Sequence, residues 1–119
     1  MDATLFRWNE VAEDNPIPLL TRRTVKGERM MAARVRLEPG CVVAEHRHES
    51  EQIAVVLSGH VRWGLGEKGT PGFRYQEMRG GEVMVLPSNF PHSLEVYEAA
   101  EIIDFLTPIG PMGVDSQKS

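Results

Sequence analysis

Eleven glycines and eight prolines break the 119-residue chain at short intervals, and the segments between them alternate apolar with polar residues or are rich in Val, Ile, Leu and aromatics. Such spacing leaves no room for long helices and predicts an all-β fold. Nine strands are expected, over Leu19–Val25, Met30–Leu37, Val42–Glu45, Gln52–Leu57, Val61–Leu65, Phe73–Met78, Glu82–Leu86, His92–Tyr97 and Glu101–Leu106. One helical turn is expected within Asn9–Asp14, ended by Asn15-Pro16-Ile17-Pro18, because the residue before a proline is pushed out of the helical region. Gly64–Gly72, with four glycines and a proline, reads as a hairpin loop, and the tail 107–119 as a segment lying over the surface.

Nine short strands in one domain spanning residues 1–119 bury their apolar faces most economically as two packed sheets or a closed barrel, which can hold a ligand in its mouth. Seventeen acidic residues against thirteen Lys and Arg give a net charge of -4. The basic residues are scattered, which argues against a nucleic-acid partner. Cys41 stands alone, so no intramolecular disulfide can form, and a cytoplasmic location is expected. No apolar run approaches the ~20 residues of a membrane span, and the N-terminus lacks an export pattern.

The chemistry gathers around histidine. In Glu45-His46-Arg47-His48 the two imidazoles share one face of an extended chain while Arg47 points away. Gln52 opens the next apolar strand and offers an amide oxygen, and His92 begins a later one. Read from spacing alone, the His46 and His48 pair is either solvated surface at a strand end or, with Gln52 and His92, a donor set for a divalent transition metal that suits Zn, Ni, Mn, Fe or Cu without choosing among them. Glu51, a neighbour of Gln52, falls on the opposite face.

Asp104 interrupts Ile102-Ile103-Asp104-Phe105-Leu106, where a carboxylate is costly unless paired or used. A salt bridge to Arg34 or Arg36 and a role as general acid or base are both open. His60 reads as part of a turn, Cys41 as a small packing residue, and Trp63, Phe73, Tyr75 and Tyr97 as core or interface aromatics.

Gly40-x5-His46-x-His48-x3-Gln52-x6-Gly59 and Gly81-x5-Pro87-x-Asn89-x2-His92 together resemble the double motif of the cupin superfamily. That resemblance implies a double-stranded β-helix, with motif 1 at residues 40–59 and motif 2 at 81–92, and a divalent transition metal as cofactor, held by His46, His48, Gln52 and His92. Gln52 stands where the family usually has a glutamate ligand, and Asn89 where it has a glycine, a substitution that requires Asn89 to take up the left-handed conformation. With glutamine in that place, three neutral imidazoles and a divalent metal leave a charge of about +2, which favours an anionic substrate.

A narrower resemblance is to the small pectin-degradation cupins, which linearise unsaturated uronates and use a glutamine as metal ligand. Their Asp-x-Phe-x-Pro-Pro-Arg tail reads here Asp104-Phe105-Leu106-Thr107-Pro108-Ile109-Gly110, so the arginine is lost. Arg23, Arg34 or Arg36 is expected to meet the substrate carboxylate instead. The function implied is a metal-dependent enzyme for a small anionic sugar or keto acid, with Asp104 moving a proton. An iron-dependent dioxygenase and a non-catalytic sensing module are the alternatives. A homodimer is also expected, with Trp8, Leu19 and Leu20 at its surface.

Overall fold

The computed structural model describes residues 2–117; Met1 and the last two residues of the expected tail, Lys118 and Ser119, lie outside the described residues. Among the described residues eight strands carry the fold: β1 Glu13–Ile17, β2 Leu20–Lys26, β3 Met31–Leu37, β4 Val42–His46, β5 Glu51–Leu65, β6 Arg74–Arg79, β7 Val83–Leu86 and β8 His92–Thr107. Two 3-10 turns, Trp8–Glu10 and Gly113–Asp115, complete the regular structure. The all-β expectation holds, and among the described residues no helix is long and apolar enough to cross a membrane.

The largest difference from the sequence expectation is that two expected pairs of short strands are each one long, bent strand. Gln52–Leu57 and Val61–Leu65 are one strand, β5, and His92–Tyr97 and Glu101–Leu106 are another, β8. The two long strands pair antiparallel from Glu51↔Thr107 to Leu65↔His92, and the register slips between Val56 and Val61. Gly59 sits in that irregular stretch with φ 95°, and a Cβ there would overlap the Ala99 carbonyl and Ala100. The extra residues bend the strand without ending its pairing. A further strand, β1, was not expected because Pro16 lies in it; β1 is at the end of the strand order, where proline is tolerated. The helical turn is confined to Trp8–Glu10.

Bending lets β5 and β8 each serve two sheets. Their outer halves, Glu51–Val56 and Ile102–Thr107, join β7 on one side and β3, β2 and β1 on the other. Their inner halves join β6 and β4. The two sheets face each other across a core in which alternate residues point inward: Met31, Ala33, Val35 and Leu37 from β3, and Leu94, Val96, Ala100, Ile102 and Leu106 from β8. Leu37, Leu86, Ile102 and Leu106 are fully buried, and truncating any one to Ala costs about 2–5 kcal/mol.

Leu20 is part of this core at 3% exposure, so it does not belong to a free dimer surface; Trp8 is half-buried and Leu19 exposed. The tail also departs from expectation. Met112 and Val114 are buried against the barrel, so the segment closes one end instead of lying over its outside. Asn89 does adopt φ 60°, at the tight turn before His92.

Candidate metal centre

His46 ends β4 and His92 begins β8, and the two are direct partners across the ladder. Their ring centroids lie 4.2 Å apart. His48 follows in the β4–β5 connection, with its ring 5.5 Å from His46 and 5.1 Å from His92. One ligand nitrogen from each of the three comes within 4.8 Å of the others.

Tautomers follow from the backbone. Nδ1 of His46 meets the Ala44 carbonyl at 2.8 Å, Nδ1 of His48 the Ser50 carbonyl at 2.9 Å, and Nδ1 of His92 the Phe90 carbonyl at 2.8 Å. A carbonyl oxygen only accepts, so each Nδ1 carries the hydrogen and each neutral ring presents a bare Nε2. His92 Nε2 is buried with no hydrogen-bond partner, an arrangement that is costly unless something fills it.

Gln52 and Asp104 come from the opposite sheet. Gln52 pairs with Leu106 and Ala54 with Asp104, so the two polar side chains are diagonal neighbours on the inner face. Gln52 Nε2 donates to Asp104 Oδ1 at 2.9 Å, which turns Gln52 Oε1 toward His48 Nε2 at 3.1 Å. Two lone-pair atoms then face each other, which is unfavourable without a cation between or beside them. The orphaned His92 nitrogen and this oxygen–nitrogen pair fit a metal of the N3O type, with His46, His48, His92 and Gln52 as holders.

Burial sets the charge states. It pushes His92 down to about 4, helped by the nearby His46, and also lowers His46. Burial pushes the Asp104 carboxyl up to about 7 against the opposing Gln52 hydrogen bond. Neutral imidazoles are the form a metal needs. A cavity of about 40 Å³ adjoins the cluster, with His46, His92, Gln52, Asp104 and Trp63 on its walls.

None of the three arginines expected to meet substrate lines this cavity. Strand alternation turns Arg34 and Arg36 to the outside of β3, where Arg34 pairs with Glu101 at 2.8 Å and Arg36 with Glu38 at 2.9 Å. Arg23 likewise points outward and binds the Trp8 and Val11 carbonyls. The same parity excludes a salt bridge between Asp104 and Arg34: Asp104 is paired in register with buried Ala33, and Arg34 with Ile103. Glu51 is exposed, away from the cavity. His60 lies within β5, not in a turn, and meets Glu77 at 2.6 Å. Cys41 is buried packing at 1% exposure, its thiol pushed up by desolvation.

Sequence reasoning missed Arg22, Met112, Gly113 and Val114, which line the cavity opposite the histidines. Arg22 was detectable in principle, because period two places it on the face of Leu20. Gly113 rests on the His46 ring so closely that a Cβ would overlap it. Nothing in the composition of the tail marks that contact.

Structures of known proteins share this architecture. KdgF from Halomonas sp. is similar over 90% of this chain and 96% of its own, with a TM-score of 0.78 and 24% identity. An RmlC-like cupin from Shewanella frigidimarina NCIMB 400 matches 91% of this chain and 93% of its own, with a TM-score of 0.79 and 15% identity. Oxalate decarboxylase from Lactobacillus farciminis, in its formate complex, has a TM-score of 0.80 and 15% identity over 93% of this chain but 35% of its own. At these identities the likeness establishes the fold. Among curated proteins none matches the chain in sequence. The cupin domain family (Cupin_2) matches residues 33–105, a span that contains all three clustered histidines, Gln52 and Asp104 and exceeds half of the chain, so the chain belongs to the cupin family.

Proposed function

We propose that the protein is a metal-dependent enzyme acting on a small anionic sugar or keto acid, with opening or isomerisation of an unsaturated uronate as the reaction to test first. The observation that supports this reading is the convergence of three histidine rings and the Gln52 oxygen beside a buried carboxyl, Asp104, at a cavity lined by His46, His92, Gln52 and Asp104. The likeness to KdgF and the resemblance to uronate-linearising cupins point the same way.

A divalent cation bound there supplies a Lewis acid that polarises a hydroxyl or carbonyl oxygen. His46, His48 and His92 would hold it with rings already fixed by backbone carbonyls, so little reorganisation would be needed. Gln52 leaves the site without a ligand anion, which favours substrates that bring their own negative charge. Asp104 is the one carboxylate lining the cavity among the described residues, and Gln52 holds its Oδ1. Asp104 takes a proton from substrate carbon or hydroxyl and returns it at the new position, a contribution of about 10²–10⁴ in rate. Buried surroundings keep bulk water from competing for that proton.

The experiment is to reconstitute chelator-treated protein with Zn, Ni, Mn or Fe and follow unsaturated galacturonate by its ultraviolet absorbance. Loss of absorbance that depends on the added metal and falls about 10²- to 10⁴-fold in Asp104→Asn supports the reading. Equal rates for wild type, variant and buffer would rule out this substrate, and oxygen uptake under iron would then favour the dioxygenase alternative. Pairing of two chains belongs to the same proposal; a 13 kDa species alone in light scattering would remove it.

A further inference from the structure

Arg22 brings the only Lys or Arg charge to the histidine cavity among the described residues, and its side chain is 11% exposed. Two carboxylates grip it. Nε and Nη2 donate to Asp14 Oδ1 and Oδ2 at 3.1 and 2.7 Å. Nη1 and Nη2 donate to Asp115 Oδ2 and Oδ1 at 3.1 and 2.8 Å. Both are paired two-pronged contacts, the geometry a guanidinium offers to any planar carboxylate.

The two partners are anchored differently. Asp14 stands on β1 directly across the ladder from Arg22. Asp115 rides on the short turn that closes the cavity, where its Oδ2 also accepts the Met112 N–H at 2.8 Å. Two carboxylates on one guanidinium leave a net negative group, which repels an incoming anion while both remain. The cavity beneath has about 40 Å³, room for roughly three waters at about 10–15 Å³ each and not for a sugar acid. Met112, Gly113 and Val114 line this cavity on the side away from the histidines, so a substrate entering there displaces their segment and withdraws Asp115 from Arg22.

We propose that Arg22 is the receptor for the substrate carboxylate and that Asp115 occupies it in the substrate-free protein, so that binding exchanges one carboxylate for another. The exchange rests on the reading of the site as one that takes anionic substrates. It accounts for the missing tail arginine, since Arg22 supplies the cation from β2. It also couples binding to opening: losing Asp115 from the turn releases the Met112 amide and frees Gly113 from the His46 ring.

Calorimetric titration of zinc-loaded protein with galacturonate and with its uncharged methyl ester tests the exchange. Asp115→Asn is expected to bind the acid about 10-fold more tightly and the ester as wild type does, since the Arg22–Asp14 pair still supports the fold. Arg22→Gln is expected to lose about 10- to 100-fold in preference for acid over ester. In wild type the acid, and not the ester, is expected to speed amide exchange across residues 109–117. An unchanged preference in Arg22→Gln, or no uptake of the acid by either wild type or Asp115→Asn, overturns the proposal. Should Arg22→Gln fail to fold, the Asp115→Asn titration and the exchange rates decide alone. Metal-dependent turnover with Arg22 uninvolved would leave the proposed reaction standing; carboxylate exchange without turnover would do the reverse.

Discussion

Two walls enclose the same cavity and are held in different ways. The histidine wall is built into strand ladders: His46 and His92 face each other across β4 and β8, and each ring is oriented by a carbonyl two residues before it. The opposite wall, Met112 to Val114, belongs to no ladder. It is held by the burial of Met112 and Val114, the Arg22–Asp115 pair, the seat of Gly113 on His46, and the Gln117 side chain, which bonds Ala44 N and Val42 O on β4 at 2.8 and 3.1 Å. Ladder-held groups open only with the fold, whereas a segment held by a few side-chain contacts can open locally. Such a division suits the proposed reaction, in which a metal is kept and a product released.

Removing a histidine is the strongest way to break this division. His92→Ala should weaken zinc binding by about 10²- to 10³-fold, taking an equal share among four ligands of the roughly 10–16 kcal/mol of a tight zinc site. Competition with a chromophoric chelator measures it. Wild-type affinity in His92→Ala would mean that the buried, unpartnered nitrogen is not a ligand.

A second effect, of a few kcal/mol, separates the two polar groups of the ladder-held wall in metal-free protein. Asp104 has its carboxyl raised to about 7 from 3.8, so between those values the folded chain holds more protons than the unfolded one, and this contribution to stability is lost as pH rises from about 4 to 7. His92, lowered from 6.5 to about 4, works in the other sense: its contribution is present above about 6.5 and is lost as pH falls toward 4. The two slopes partly cancel in the whole protein. Urea unfolding of wild type against Asp104→Asn isolates the first: the variant should gain on wild type from pH 4 to 7 and hold its lead above. A flat difference would place Asp104 in contact with solvent.

Sequence made the ladder-held wall legible because its signals are local: Gln52 at a strand start and His92 after Pro91 need only the pleat and the motif, and His48, which lies past the end of β4, is placed by the motif. Strand parity, applied to Arg34 and Arg36, placed them correctly on one face but could not say which face was inside, since that depends on pairing Arg34 with Ile103 and not with Asp104. The bends at Gly59 and the closing role of Gly113 were illegible for another reason. Both depend on what lies across the barrel, Ala99 and Ala100 for one and the His46 ring for the other. Glycine records that something is close without recording what.

Gly113 gives a third, smaller test. A methyl group at that position must displace the closing segment or the His46 ring. Gly113→Ala should therefore cost about 1–3 kcal/mol of stability by overpacking, read as a lower Tm. Zinc affinity should fall with it if the ring yields and stay unchanged if the segment does, so one variant reports which wall is stiffer. An unchanged Tm would mean that the segment does not rest on His46 in solution.

The smallest expected effect belongs to Gln117. Its amide acts as a substitute strand on the edge of β4, receiving the Ala44 N–H and donating to the Val42 carbonyl. Neither contact is buried, so replacing Gln117 by Ala should cost only about 1 kcal/mol. The Ala44 amide should then exchange with solvent several-fold faster, since its partner is gone and β4 is otherwise paired only on the β8 side. Zinc affinity should change little, because the Ala44 carbonyl that orients His46 is not a partner of Gln117. A large loss of zinc in Gln117→Ala would show that the closing segment positions the ligands, and the separation between a fixed wall and a releasable one would then fail.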